Sequence, residues 1–234
     1  QPLADIAYTL FEGRHAFEHR RVFAAAGHEE AIALLESPDP RRVFTHSDEV
    51  ARPSVVFMYP GGGAQYLRMG RGLYETEPVF REHIDRGLAL LKSRFNTDLA
   101  DIFLAEQGDG DRVNAQLARP SVQLPLIFLV EVALTRLWEH YGVKPAAVMG
   151  HSLGENTAAC IAGVLSFEDA LGLVLLRGQL MDEVPEGAML SVSMPAEELR
   201  EELGDELDLA AANSPQLSVA SGPEGLITAL AERL

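Results

Sequence analysis

The sequence predicts an α/β protein built on a parallel-stranded layer, and three observations carry that expectation. Two short apolar stretches, Val55-Val56-Phe57-Met58-Tyr59 and Val143 to Met149, alternate with long helical segments. This is the order a parallel sheet requires, because its strands are joined by helical crossovers. Each stretch runs into a sharp glycine-bearing turn, Pro60-Gly61-Gly62-Gly63 after the first and Gly150-His151-Ser152-Leu153-Gly154 after the second. Beyond residue 186 the pattern becomes strand, helix, strand, strand, helix, a split βαβ unit without its last strand.

Taken in order, residues 1 to about 48 predict a separate small unit: a helix through Ile6, Tyr8 and Leu10, a strand Arg21-Val22-Phe23-Ala24-Ala25, and a helix through Ala31, Leu34 and Leu35. Pro38 and Pro40 break that run and place a linker near residues 37 to 52. After the first core strand, helical sequence appears around Met69, Leu73 and Tyr74 and continues to about residue 104. Gln107-Gly108-Asp109-Gly110-Asp111 reads as an exposed loop. Residues 121 to 140 are apolar on nearly every side, the pattern of a helix buried inside a domain. The last segment predicts strands at 188 to 194, 207 to 212 and 217 to 221, with helices at 196 to 203 and 225 to 234.

Composition narrows the function. The 234 residues are 47% hydrophobic and 23% charged, the balance of a folded globular chain. A net charge of −16 disfavours nucleic acid, whose phosphates are bound by clustered Lys and Arg. Cys160 is the only cysteine, so no internal disulfide forms and a cytoplasmic setting is expected. The run from Leu124 to Val130 is stopped by Glu131, short of the roughly 20 residues a membrane crossing needs. The start, Gln1-Pro2-Leu3-Ala4-Asp5, lacks the basic and apolar stretches of a signal peptide.

The chemistry concentrates at Gly150-His151-Ser152-Leu153-Gly154. G-x-S-x-G alone arises by chance in roughly 8% of chains of this length, so its context carries the inference. A predicted strand precedes it and a helix of small residues (Ala158, Ala159, Ala162, Gly163) follows, the setting of a nucleophile elbow. Such a turn projects the serine at its tip and brings the flanking residues into near contact, which only glycine tolerates. A serine nucleophile also needs oxyanion donors. The backbone N–H of Leu153 is one candidate, and the Gly61-Gly62-Gly63 loop supplies a second unless it is an ordinary tight turn. That loop is neither a Walker loop, since no Gly-Lys-Ser/Thr follows, nor a dinucleotide fingerprint, since Tyr66 holds the third glycine position.

Arg177 interrupts the apolar run from Leu171 to Leu176, and a guanidinium there calls for an anionic partner. It either reaches solvent or pairs with Glu168, or it grips a carboxylate on a substrate through two parallel hydrogen bonds. His15 and His19 stand four apart, a metal-compatible helical spacing with no third ligand near, so a solvated surface is the reading there. Cys160 packs as a small apolar residue, and Glu155 favours its helix N-terminus electrostatically.

Four segments, Tyr59-Pro60-Gly61-Gly62-Gly63-Ala64-Gln65, Gly150 to Glu155, Arg177 lying 25 residues beyond Ser152, and Ala211-Ala212-Asn213-Ser214-Pro215, resemble the ordered motifs of the malonyl-CoA:acyl-carrier-protein transacylases. The resemblance covers residues 54 to 234, and the first 50 are similar to the linker between ketosynthase and acyltransferase in modular type I polyketide synthases. It implies a parallel-sheet, hydrolase-like large subdomain at residues 51–186, a partial ferredoxin-like small subdomain at 187–234 and an N-terminal α/β linker segment at 1–50. It also implies that Ser152 carries the acyl group, Arg177 grips the free carboxylate of a malonyl unit, and main-chain N–H groups of Gly62 and Leu153 hold the oxyanion. His151 and Gln123 would line the substrate site. Gln123 stands one place before the family's usual Gln-Pro position, which reads Leu124-Pro125 here, and the family's usual glutamine is replaced by Gly62.

The implied reaction moves a malonyl-type unit from coenzyme A to Ser152 and on to the phosphopantetheine thiol of an acyl carrier protein. No bound cofactor or metal is required, and an adjacent ketosynthase domain is an expected partner, with no nucleic acid or membrane. Leu153 resembles malonyl-selective more than methylmalonyl-selective members. The family's histidine base lies downstream of the serine, whereas His151 is the last histidine here. The expectation is that the chain ends before that base and before the last small-subdomain strand, leaving this fragment alone inactive. An α/β-hydrolase esterase and a non-catalytic carrier-protein docking scaffold are the alternatives.

Overall fold

The structure, a computed structural model, describes residues 1–15, 17–47, 54–185 and 187–234. It forms two compact units, Gln1–Val55 and Val56–Leu234.

In the first unit, α1 (Leu3–Glu12) is followed by β1 (His19–Val22), α2 (His28–Glu36) and β2 (Phe44–Ser47). β1 and β2 pair antiparallel, His19 opposite Ser47. The predicted strand at 21–25 therefore lies earlier, and β2 was hidden by the prolines before it. Prolines end α2 but do not prevent the chain from returning beside β1. The predicted linker at 37–52 is partly β2, and its residues 48–52 lie outside the described ones. Because α1 ends at Glu12 and His19 opens β1, His15 and His19 share no helical face.

The second unit begins with β3 (Val56–Tyr59). There follow α3 (Arg71–Thr76), α4 (Pro78–Phe95), α5 (Ala100–Phe103), a 3-10 turn at Gln107–Asp109 and α6 (Gly110–Leu117). The loop expected at 107–111 is thus helical, because Glu106 and Asp109 form a reciprocal capping box that starts the turn. Next come α7 (Pro120–His140), β4 (Ala147–Gly150), α8 (Gly154–Ile161) and α9 (Phe167–Asp182).

Helix α7 is the core of this unit. By length and composition it would span a membrane, yet most of it is buried inside the protein, against α4, α8 and α9. Phe80 and Ile84 of α4, Ile127 and Phe128 of α7, and Leu171 and Val174 of α9 meet there almost fully buried. Each such side chain contributes about 1.5–3 kcal/mol relative to exposure.

β3 and β4 pair in parallel, Val56 opposite Ala147 and Tyr59 opposite Gly150. These were expected to be core strands, but Met58 is 71% and Met149 53% exposed. Among the described residues the two strands form the whole of this sheet, with α8 packed against them.

The last segment is β5 (Ala188–Val192), α10 (Ala196–Leu203), β6 (Asp208–Ser214), β7 (Leu217–Gly222) and α11 (Glu224–Arg233). The sheet order is β5-β7-β6, antiparallel throughout. Leu199, Leu203, Ala220, Ile227 and Leu230 form its own small core. The Ala211-to-Pro215 motif occupies the end of β6 and the turn into β7.

Candidate active site

β4 ends at Gly150 and α8 begins at Gly154, so three residues make the whole reversal between strand and helix. Ser152 sits at the tip with φ 53°, one of three non-glycine residues in the left-handed region among those described. That conformation is strained for a side chain with a Cβ and persists only when the surroundings over-determine it. The constraint is visible on both sides. A Cβ on Gly150 would run into the backbone of Gly154 and Glu155, and one on Gly154 would lie 2.6 Å from Pro60 O. Both flanking glycines are thus required by close backbone approach, as the motif predicted.

The sheet register brings the glycine-rich loop to this turn. His151 N–H donates to Tyr59 O at 3.0 Å, extending the β3–β4 ladder by one bond. Immediately beyond, a Cβ on Gly61 would lie 3.0 Å from His151 O and 3.1 Å from Ser152 Cβ. Among the described residues the backbone N–H groups of Gly62 and Leu153 have no acceptor. His151 is exposed. The Leu153 side chain is completely buried, so it acts through core packing and not as a wall facing a substrate.

Arg177 on α9 reaches Ser152: its Nη2 donates to Ser152 Oγ at 3.2 Å, and its Nη1 donates to Asn156 Oδ1 at 3.2 Å. Pairing with Glu168 is not found, because that carboxylate bonds Arg86 at 2.5 Å. Among the described residues Arg177 forms no ion pair. Two features hold its helix in place. A Cβ on Gly178 would lie 2.5 Å from Pro120 O, so α9 meets the start of α7 backbone to backbone. Asp182, the last residue of α9, accepts from Ser121 N at 3.2 Å, from Ser121 Oγ at 2.5 Å and from Arg119 Nη2 at 3.0 Å. It thereby caps α7, whose own N-cap residue supplies no side-chain bond. Burial pushes the Asp182 carboxyl up, but the bonds from Ser121 and Arg119 outweigh it and hold the pKa below its ordinary value.

Gln123, on the first turns of α7, places its Oε1 3.5 Å from where a Cβ on Gly62 would stand. Its Nε2 donates to Ala118 O at 3.2 Å. The glutamine therefore adjoins the glycine-rich loop despite standing one place early in the motif. Neither of two prominent cavities is lined by Ser152 or Arg177. One cavity of about 430 Å³ is lined by Tyr59, Glu131, Thr135 and Trp138, and another of about 1060 Å³ by Arg119, Asp182, Met189 and Ser221. Ser152 itself is exposed.

Two residues escaped the sequence reading, Asn156 and Glu131. Glu131 is 6% exposed, accepts a short hydrogen bond from Thr157 Oγ1 of α8, and leaves Oε1 without a partner among the described residues. Its signal was present in the sequence as a lone charge in an apolar helix. Burial raises its pKa from 4.5 to about 7, against the lowering effect of Thr157. The folded protein therefore holds a proton that the unfolded chain releases, so the stability this group contributes is complete below about pH 4.5 and lost as pH rises through about 7. Glu131→Gln is expected to melt with the parent near pH 5 and above it near pH 8. Parallel melting curves at both pH values would contradict this.

Residues 56–234 match the family described as acyl transferase domain, and residues 1–35 match that described as CurL-like, PKS C-terminal. The chain belongs to the acyl transferase domain family. It is 37% identical over 247 residues to one of the phenolphthiocerol/phthiocerol polyketide synthase proteins of Mycobacterium tuberculosis, covering 99% of this chain and 16% of that protein. The solved acyl transferase domain of ZmaA superposes with a TM-score of 0.90 at 37% identity, covering 100% of this chain and 55% of that one. MCAT from Streptococcus pneumoniae follows with a TM-score of 0.64 at 32% identity, covering 76% of this chain and 57% of that one. The chain is thus homologous to the acyltransferase domains of type I polyketide synthases and shares the two-part fold of these solved structures: a hydrolase-like large subdomain and a ferredoxin-like small one. It spans about half the length of the solved chains it matches and a small part of the curated ones.

Proposed function

We propose that the domain transfers a malonyl-type unit from coenzyme A to an acyl carrier protein through an ester on Ser152. The observation that carries this reading is the Arg177 guanidinium, unpaired with any described carboxylate, 3.2 Å from an exposed and conformationally strained hydroxyl. Ser152 Oγ attacks the thioester carbonyl, a C–O bond forms and the C–S bond breaks, and the departing coenzyme A thiol takes up the proton. A pantetheine thiol on the carrier protein then attacks the ester and returns the proton to Ser152. During each addition the carbonyl oxygen becomes an oxyanion, for which the N–H groups of Gly62 and Leu153 are the proposed donors. Arg177 binds the carboxylate remote from the reacting carbonyl, and Gln123 and His151 border the acyl chain.

His151 is the last histidine of the sequence and forms part of the sharp turn itself. The proposal leaves removal of the serine proton to a group outside these 234 residues, so the chain by itself should turn over slowly. Rapid transfer by the chain alone would place the base within it. The setting proposed is cytoplasmic, inside a multidomain synthase beside a ketosynthase domain, on the strength of the polyketide synthase match at residues 1–35.

Incubation with malonyl-CoA and with acetyl-CoA, followed by mass spectrometry of the peptide holding Ser152, tests the reading. Preferential malonyl labelling at Ser152 is expected. Equal labelling by both would remove the carboxylate role of Arg177 and favour an esterase-like site. Absence of any acyl-serine, even with the full domain, would favour a docking scaffold.

A further inference from the structure

We infer that Asn156 is a positioning residue that sets the charge selectivity of Ser152 by holding Arg177 without neutralising it; this rests on the reading of Arg177 given above. Asn156 is the third residue of α8 and stands four residues beyond Ser152, which lies outside the helix in the left-handed turn. Its Oδ1 accepts from Arg177 Nη1 at 3.2 Å, while Nη2 reaches Ser152 Oγ at 3.2 Å. Both ends of the guanidinium fork are thereby held by the elbow and its helix, and both acceptors are uncharged.

That neutrality decides the function. A carboxylate at position 156 would also hold the fork, but it would pair with the guanidinium and compete with the carboxylate of a substrate. An apolar residue would leave the charge in place and the side chain free to swing. The amide orients the cation and leaves its charge available.

The two contacts also differ in permanence. A substrate carboxylate is charged and therefore a stronger acceptor than the Ser152 hydroxyl, so it draws Nη2 away as the thioester binds. Asn156 is unaltered by the reaction and retains Nη1. The guanidinium therefore turns about the Asn156 bond, and Nη2 is handed from the serine to the incoming carboxylate.

The test compares Asn156→Asp, Asn156→Ala and Arg177→Ala in the intact polypeptide that bears this chain. Initial acylation of Ser152 by malonyl-CoA and by acetyl-CoA is measured by mass spectrometry, with a thermal melt of each variant. Asn156→Asp, the closest in shape, is expected to lower the malonyl-to-acetyl ratio by about tenfold or more, the scale of one charged hydrogen bond. Asn156→Ala should lower it by about threefold, chiefly through KM for malonyl-CoA. A purely structural role would rank them the other way, with aspartate the milder. An unchanged ratio in both Asn156 variants, or equal loss of both acyl groups, overturns the inference. If Asn156→Asp does not fold, the KM effect of Asn156→Ala decides. If Arg177→Ala itself leaves the ratio unaltered, the reading of Arg177 fails; if it shifts the ratio and the Asn156 variants do not, Asn156 alone is wrongly assigned.

Discussion

Replacing Arg177 by alanine is expected to slow malonyl transfer onto Ser152 by roughly 10- to 150-fold, the loss of a charged hydrogen bond worth about 1.5 to 3 kcal/mol. Acetyl transfer should fall far less, because an acetyl group offers no carboxylate for the guanidinium to grip. The contrast is what makes the result informative. Arg177 also donates to Ser152 Oγ and to Asn156, so its removal disturbs the elbow locally. A purely local disturbance would slow both acyl groups together, and an equal fall in the two rates would refute the assignment. Arg177→Lys should recover little, since a lysine ammonium cannot present two parallel N–H groups while also holding Asn156. Initial rates of acyl-serine formation from the two thioesters provide the measurement.

Gly154→Ala is expected to destabilise the domain by about 3 kcal/mol or more, at the upper end of overpacking costs. The added methyl would meet Tyr59 O and lie 2.6 Å from Pro60 O. Neither atom can retreat freely. Tyr59 O accepts from His151 N, and Tyr59 OH is bonded to Thr135 Oγ1 at 2.9 Å. The strand end, the turn and α7 are thus locked together, and the methyl must break part of that lock. Chemical denaturation should show the loss, and acylation of Ser152 should fall with it because the left-handed turn depends on the same contact. A variant as stable as the parent would mean that the strand and helix separate more easily than their bonding implies.

Much of this was legible because backbone geometry imposes it. Gly150 and Gly154 have no alternative at their positions, so the motif identified the elbow before any coordinates. Arg177 announced itself by interrupting an apolar helix, and the three antiparallel strands of the small subdomain appeared within a few residues of their expected places. Glu131 carried the same kind of signal as Arg177 but was read only as the end of an apolar run. Asn156 carried none, since an asparagine in the first turn of a helix is ordinary and its importance comes from a side chain on another helix. β2 and the capped turn at 107–109 were missed because prolines and Gly-Asp sequences suit loops equally well. Exposure of Met58 and Met149 could not be read either, since strand periodicity shows which faces are apolar and not which faces are covered.

The bond network of Asp182 has a mechanical implication. This carboxylate ends α9 and immediately precedes the segment that crosses to β5, while also fastening α7 through Ser121 and Arg119. Any swing of the three-stranded layer would pivot beyond this rivet, in the residues that follow it. Such a swing would reshape the cavity lined by Arg119, Asp182, Met189 and Ser221 while the cation at 177 keeps its distance from the hydroxyl at 152.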